Sequence, residues 1–143
     1  MIVCIIPEGS VSEPHQRTLE SSLPAIVAEH LGPKVRPVVV WNPVAAGNGY
    51  TGGQARHCSL CHVQVPADTS LPQRAALMRA VCEQWCETTG MSRYELMVTT
   101  PDKATVRGTL RALLAPMRPG AKASYLGRLA TQAARQRWQR RGA

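Results

Sequence analysis

Short continuous apolar runs alternate along the chain with longer segments of helical spacing. Residues 2–6 are uninterrupted and mostly β-branched, which predicts a buried strand. Ser12 is a suitable N-cap for the segment that follows, and Pro14 is tolerated in a first helical turn. Apolar side chains then recur with helical spacing between Leu19 and Leu31, and Gly32 is placed to end the helix.

The same order of elements occurs a second time. Residues 35–41 and 58–65 predict the second and third strands, residues 70–89 a strongly periodic helix, and residues 94–99 a fourth strand. On the second helix the pattern places Leu71, Leu77, Met78, Val81, Cys82 and Trp85 on the buried side. The glycine-rich segment between the second and third strands contains Asn48-Gly49, which predicts a tight hairpin turn.

The two halves are related by an internal repeat. A shift of 58 positions without a gap superposes six residues of the first half on identical residues of the second: Ser12, Pro14, Leu19, Glu29, Gly32 and Val40 on Ser70, Pro72, Leu77, Glu87, Gly90 and Val98. Because a β-α-β crossover makes its two strands parallel, each half predicts one such unit. The fold class is therefore α+β, with tandem β-α-β units forming a four-stranded sheet that carries two helices on one face.

A C-terminal extension follows this tandem domain. The sequence predicts a fused domain over residues 1–103, made of units 1–56 and 57–103, and a basic helical extension over residues 104–143. Within the extension, residues 104–114 and 121–140 have helical patterns, and a proline- and glycine-containing break separates them. The second face of the sheet has no helix to cover it, so we expect the chain to form an oligomer.

The balance of charged residues also changes where the C-terminal extension begins. Residues 1–100 hold 7 Lys and Arg against 8 Asp and Glu, whereas residues 101–143 hold 10 against the single acid Asp102. A basic segment of this kind can bind a nucleic acid, a membrane surface or an anionic ligand. A solvated helix face that only aids solubility explains the charge equally well.

Composition gives an expectation about the cellular setting. No apolar run approaches the roughly 20 residues of a membrane helix, and the N-terminal run has neither the basic flank nor the length of a signal peptide. We therefore expect a cytoplasmic protein with no membrane partner. The 5 cysteines are an odd number, which favours free thiols. The absence of Phe beside abundant Ala, Arg and Val is typical of GC-rich bacterial genes.

A C-x-x-C-H motif at residues 58–62 is the pattern for covalent haem attachment. It falls in a predicted strand, however, where Cys58 and His62 point to one face and Cys61 to the other. A zinc site that adds Cys82 and Cys86 is an alternative, since these share a helix face. Buried cysteines without a ligand are the favoured interpretation, so the sequence predicts no metal and no cofactor.

Residues 1–100 resemble the tautomerase superfamily, and most of all fused members of the cis-3-chloroacrylic acid dehalogenase group. The resemblance rests on the β-α-β repeat, on Ala46-Gly47-Asn48 followed by Gly52-Gly53, on the strand with His62, and on Ser70 at the start of the second helix. It implies a trimer whose catalyst is an amino-terminal proline acting as a base or acid. It also implies arginines that hold the carboxylate of a small unsaturated or enolisable acid.

The sequence departs from this pattern at most catalytic positions. The chain begins Met1-Ile2, and because Ile2 is not small we expect Met1 to be retained, with no proline at the terminus. Arg36 matches an arginine that binds substrate carboxylate in single-unit tautomerases. Other residues occupy the positions of the remaining catalytic groups, namely Ala28, Pro66, Thr69, Thr99 and, approximately, Leu110.

The expected function is therefore that of a tautomerase-fold protein without the proline, which binds or transforms a small anionic organic acid. Any reaction would be a tautomerase or isomerase reaction, or a hydratase- or dehalogenase-like lyase reaction. An α-amine in an apolar pocket beside arginine loses its proton more readily, so Met1 could act as a base or as a Schiff-base nucleophile. The candidate catalytic residues are Met1 and His62, and the candidate carboxylate-binding residues are Arg36, Tyr50, Arg107 and Arg111.

Two other functions stay open. The chain could be a non-catalytic binding or assembly protein whose basic tail meets a nucleic acid or another partner, because Trp138 lies among arginines. A haem or zinc protein centred on Cys58, Cys61 and His62 is the remote alternative.

Overall fold

The structure of the chain is a computed structural model, which describes residues 1–35, 37–45, 47–48, 50–51, 54–55 and 58–139. The elements in chain order are β1 (Ile2–Pro7), α1 (Glu13–Leu31), β2 (Val39–Val44), β3 (Tyr50–Thr51), β4 (Gln54–Ala55), β5 (Ser59–Val63), α2 (Leu71–Thr89), β6 (Leu96–Thr99), α3 (Lys103–Leu114) and α4 (Pro119–Gln139). A 3₁₀ turn, Arg93–Glu95, precedes β6.

Four strands form one mixed sheet in the order β2-β1-β5-β6. Each β-α-β unit contributes a parallel pair, β1 with β2 and β5 with β6, and the two units join through the antiparallel pair β1 and β5. Side chains from α1 and α2 share one core with the sheet. The predicted tandem β-α-β fold with a C-terminal helical extension is therefore confirmed.

Local sequence signals set the ends of both long helices. The Ser12 side chain accepts a hydrogen bond from the His15 amide, and Ser70 forms a capping box with Gln73. Gly32 and Gly90 end α1 and α2 with φ angles of 101° and 72°, a backbone region that other residues rarely adopt.

Strand alternation divides the sheet into a helix-covered face and an open face. Ile2, Cys4 and Ile6 of β1 are buried beneath the helices, and Cys61 and Val63 of β5 lie beside them. The odd-numbered residues of β1 therefore point to the other face, which we call the open face. The largest buried side chain under the helices is Trp85 of α2, whose ring centroid lies 5.8 Å from that of Trp41 on β2.

The internal repeat has one spacing for the helices and another for the strands. The N-caps Ser12 and Ser70 differ by 58 positions, but Ile2 pairs with Val39 as Ser59 pairs with Leu96, which is a spacing of 57. The loop before α2 is therefore one residue longer than its counterpart before α1, and the connection after α2 is one residue shorter. The sequence match of Val40 with Val98 is wrong in the fold, since a slip of one residue turns a strand over.

Several strand boundaries in the structure also differ from the predicted ones. The second strand begins at Val39 instead of residue 35, and the fourth begins at Leu96 because residues 93–95 form the 3₁₀ turn. The hairpin pairs Tyr50 with Ala55, so Asn48 precedes it instead of forming its turn. Leu71 is 82% exposed at the start of α2, where the helix projects beyond the sheet, and does not belong to the buried side.

Helix α4 lies against the outer edge of β2. The Gln132 side-chain amide pairs with the Trp41 backbone, accepting from its N–H at 2.8 Å and donating to its C=O at 2.9 Å. This is the pairing a neighbouring strand would supply to an edge. Pro43, which has no N–H to donate, follows on the same strand. The basic extension is thus attached to the sheet edge.

Replacing Gln132 with alanine should loosen α4 selectively. The variant loses both hydrogen bonds to the Trp41 backbone, each worth about 1 kcal/mol. Alanine has no polar group to replace them. We expect hydrogen exchange of the α4 amides to rise roughly tenfold or more, while exchange in β1 and β5 stays unchanged. Equal protection of α4 in both proteins would contradict this anchoring role. Thr131→Ala, on the exposed side of α4, is the matched control.

None of the helices in the described part of the chain combines the length and the apolar character needed to cross a membrane.

Candidate functional site

Met1 and His62 lie on the open face of the sheet, near the start of β1. Val3 stands directly opposite His62 in the antiparallel pair, and the Met1 carbonyl accepts a hydrogen bond from the Gln64 amide at 2.9 Å. Because Val3 is opposite His62, Met1 is two residues out of register with His62, and the two form a diagonal pair on the same face of neighbouring strands. The fold brings these two predicted residues to one place, although they are far apart in sequence.

The amino group of Met1 is partly shielded from water. Burial lowers the pKa of this amine from its ordinary value of 8.0, because desolvation disfavours the ammonium form. A larger fraction of the amine is consequently neutral near pH 7 than in an unfolded chain. The Met1 residue is still 40% exposed, so a small molecule can reach it.

His62 is held by the neighbouring strand. Its Nδ1 lies 2.5 Å from the Thr99 hydroxyl oxygen, and the two residues are direct partners in the parallel pair of β5 and β6. Burial lowers the pKa of His62 from 6.5, which favours the neutral ring. Because Thr99 occupies Nδ1, Nε2 is the ring nitrogen left to meet a ligand.

The lowered pKa of His62 predicts how stability depends on pH. The unfolded chain binds more protons than the folded one between the lowered pKa and 6.5, so the free energy of unfolding should fall as the pH drops through this window and then level off. Urea unfolding of the wild type and His62→Gln from about pH 5 to 8 measures this, and the slope should shrink in the variant. An unchanged slope in His62→Gln would contradict the assignment.

Arg74 links two backbone segments at this end of the sheet, and no sequence pattern predicts that role. From α2 its guanidinium donates to the backbone carbonyls of Thr69 at 2.9 Å, Pro66 at 3.3 Å and Ala67 at 3.5 Å, and also to that of Thr100. Thr100 follows the Thr99 that holds His62. Arg74 therefore ties the loop after β5 to the end of β6, and so positions His62 indirectly.

Of the candidate carboxylate-binding residues, Arg107 and Arg111 lie in the part of the chain that the structure describes. Arg36 and the side chain of Tyr50 lie outside the described residues. Arg107 and Arg111 are exposed and one turn apart on α3, whose N-cap Asp102 accepts from the Thr105 amide at 2.8 Å. Among the described residues, no hydrogen bond or ion pair links either arginine to Met1 or His62.

The cysteines do not form the haem or four-cysteine zinc site. Cys61 is fully buried under the helices beside Cys4, whereas His62 is on the open face, as strand alternation predicted. Burial, then the Cys61 thiol, raises the pKa of Cys4 well above 9.0, which disfavours its thiolate. Within the described residues, no three His, Cys, Asp or Glu side chains are grouped to hold a metal.

Two clefts open elsewhere on the surface. One of about 140 Å³ lies between α1 and α4 and is lined by Glu13, Gln16, Arg17, Glu20, Trp41, Gln132 and Arg135. The Trp41 indole donates to Glu20 there at 2.9 Å. The other, of about 350 Å³, lies on α2. Neither of these two clefts is lined by Met1 or His62.

Comparison with known proteins agrees with the fold. No protein-family model and no curated protein matches the chain. Among solved structures, native Ps01740 is 24% identical with a TM-score of 0.67, covering 71% of this chain and 91% of that protein. A fused 4-OT solved as a symmetric trimer is 20% identical with a TM-score of 0.64, covering 71% and 83%.

A third structure extends over more of the chain. N1, a member of the cis-3-chloroacrylic acid dehalogenase (cis-CaaD) family, is 10% identical with a TM-score of 0.65, covering 86% of this chain and 96% of its own. The resemblance to the tautomerase superfamily seen in the sequence is thus confirmed at the level of the fold.

Proposed function

We propose that the chain catalyses proton transfer on a small enolisable or unsaturated organic acid, at the Met1 and His62 site. The observation that carries the proposal is that burial lowers the pKa of two bases on one face of the sheet, at diagonal positions two residues apart in register. General bases work best when their pKa lies near the operating pH. Lowering the pKa of an α-amine from 8.0 moves it toward that range.

In this mechanism the neutral Met1 amine removes a proton from the carbon next to the carbonyl of the acid. The resulting ammonium returns the proton to a different atom of the enol, so no net proton is consumed. Neutral His62 accepts or donates a hydrogen bond at the substrate oxygen through Nε2, while Thr99 keeps the ring oriented. The same amine could alternatively form a Schiff base with a 2-oxo acid, with loss of one water.

The carboxylate of the substrate requires a cation. Arg36, Arg107 and Arg111 are the candidates, since guanidinium pairs with carboxylate in bidentate fashion, and Tyr50 is a candidate polar partner. Arg107 and Arg111 share the exposed side of α3 and make no ion pair among the described residues. Their charges are therefore free to meet an anion, on this chain or on a neighbouring copy.

A homotrimer is the assembly we propose. Met97 of the open face is 56% exposed, and Val3, Ile5 and Leu60 on that face are only half-buried in the single chain. The similar fused 4-OT structures are described as trimers. Packing copies through the open face would remove this apolar surface from water and enclose Met1 and His62. Native mass spectrometry tests the assembly, and a monomer at micromolar concentration would contradict it.

A proline variant tests the chemistry. Met1→Pro, made by placing proline after a removable initiator methionine, puts a secondary amine where the primary amine stands. We expect ketonisation of the enol form of a 2-oxo acid, followed by ultraviolet absorbance, to be measurable in the wild type and faster in the variant. Acetylating the wild-type amine should abolish it. Full activity after acetylation would contradict the role of Met1.

A second function is favoured by the outer side of α4. Arg128 and Thr131 are exposed, and Trp138 is 80% exposed near the helix end. Arg135 is exposed as well and also lines the cleft between α1 and α4. An aromatic ring beside arginines is suited to stack on the bases of a single-stranded nucleic acid. The occupant we propose for this side is single-stranded nucleic acid, held mainly by charge.

Anisotropy of a labelled single-stranded oligonucleotide tests this second function. Arg128→Ala should weaken binding and reduce its salt dependence, and Trp138→Ala should weaken it by about 1–3 kcal/mol. Leu126→Ala is the control, because Leu126 lies on a different side of α4. No binding at low salt, or equal loss in all three variants, would contradict the proposal.

A further inference from the structure

Two thiols on α2 lie apart from the candidate site and have no part in its chemistry. Cys82 and Cys86 are separated by one helical turn, and both are partly exposed. Together with Arg79, Glu83 and Arg93 they line the open cleft of about 350 Å³. Burial, and then the neighbouring Cys82 thiol, raises the pKa of Cys86.

The other three cysteines differ from this pair. Cys4 and Cys61 are fully buried between the sheet and the helices, where no ligand from solvent reaches them. Cys58 is half-buried and stands alone, with its thiol 3.6 Å from the Ser59 carbonyl oxygen. Cys82 and Cys86 are thus the two cysteines that combine access from solvent with a thiol neighbour.

We propose that Cys82 and Cys86 bind a monovalent soft cation of the Cu(I) type through their two sulfur atoms. Thiolate sulfur selects such cations over the hard cations that oxygen ligands hold. Tetrahedral zinc needs at least three protein ligands, and within the described residues no group of three is present. A pair of sulfurs suits an ion that accepts two-coordinate geometry.

The charges of the cleft suit the complex. Each thiol releases one proton when it binds, so one Cu(I) and two thiols give a bis-thiolate complex of charge −1 and two protons, with no change of oxidation state. Arg79 and Arg93 in the cleft lining offset that charge, against the single carboxylate of Glu83.

Anaerobic titration of the full-length reduced protein with Cu(I) tests the proposal. Cu(I) is supplied as its acetonitrile complex with excess glutathione as competitor, and native mass spectrometry counts the ions retained. We expect one Cu(I) per chain, two sulfur neighbours by X-ray absorption, and release of two protons per ion. Cys82→Ser and Cys86→Ser should each lower retention at least tenfold, while Cys58→Ser retains it.

Three results would overturn the proposal. Glutathione could remove all Cu(I) from the wild type, both α2 serine variants could retain it, or Cys58→Ser could lose it to the same extent. Circular dichroism of the serine variants verifies that α2 and the fold persist, so that lost binding reports on the thiols. If a serine variant does not fold, selective alkylation of the exposed thiols in the folded wild type replaces it, and full Cu(I) retention after alkylation contradicts the site.

Discussion

His62→Ala is expected to lower kcat/KM for the proposed proton transfer by about 10²–10⁴-fold, the usual loss when a positioned acid–base group is removed. The ring is held through Nδ1 by Thr99 at 2.5 Å, and burial keeps it neutral. Its loss removes the imidazole that the structure places on the open face, diagonal to Met1. Ketonisation kinetics with the enol of a 2-oxo acid measure the effect.

Thr99→Val separates the role of the His62 ring from the role of the Thr99 hydroxyl that orients it. The variant keeps the size of the side chain and removes the hydroxyl that contacts Nδ1, so we expect a smaller loss than in His62→Ala and a pH profile shifted with the His62 pKa. His62→Gln keeps hydrogen bonding without a titrating ring. If His62→Ala retains full activity while Met1 modification abolishes it, His62 is structural and only the amine acts.

Trp85→Ala is expected to destabilise the fold by about 3–5 kcal/mol, which is a large part of the stability of a small domain. Trp85 is the largest fully buried side chain and packs against Trp41 at 5.8 Å between ring centroids. Its truncation leaves a cavity between α2 and the sheet, where few neighbours can collapse. Urea unfolding followed by circular dichroism measures the change.

Two control variants refine this prediction. The Trp85 indole N–H is buried without a hydrogen-bond partner among the described residues, so Trp85→Phe removes an unsatisfied donor as well as volume, and should cost much less than Trp85→Ala. Leu71→Ala, at a side chain 82% exposed, should change stability by less than about 0.5 kcal/mol. A loss from Leu71→Ala equal to that from Trp85→Ala would contradict this account of the core.

Local patterns in the sequence were sufficient for the elements and their order. Ser12 and Ser70 cap their helices, and Gly32 and Gly90 end them, because capping depends on groups within a few residues of one another. The uninterrupted apolar run of residues 2–6 predicted a strand, but only the structure showed which of its residues lie under the helices. The repeat then implied two parallel strand pairs, since the handed crossover leaves few other arrangements.

Only part of the candidate site could be predicted from the sequence. The sequence selected Met1 and His62, and the tertiary structure placed them on one face of the sheet, two residues apart in register. Thr99 was noted only as a departure from a family pattern, yet it holds the His62 ring. The hydrogen bonds from Arg74 to four backbone carbonyls could not be predicted from the sequence. Every residue has a carbonyl acceptor, and only the fold decides which of them lie close together.

By itself the sequence determined the β-α-β repeat, the caps, the apolar faces of the helices and the separation of a neutral body from a basic extension. Only the tertiary structure decided the strand spacing of 57 against the helix spacing of 58, the pairing of His62 with Thr99, and the attachment of Gln132 to the Trp41 backbone. These features join residues 37 to 91 positions apart. Such contacts depend on register between distant segments, where a slip of one residue exchanges the two faces, and no local preference sets that register.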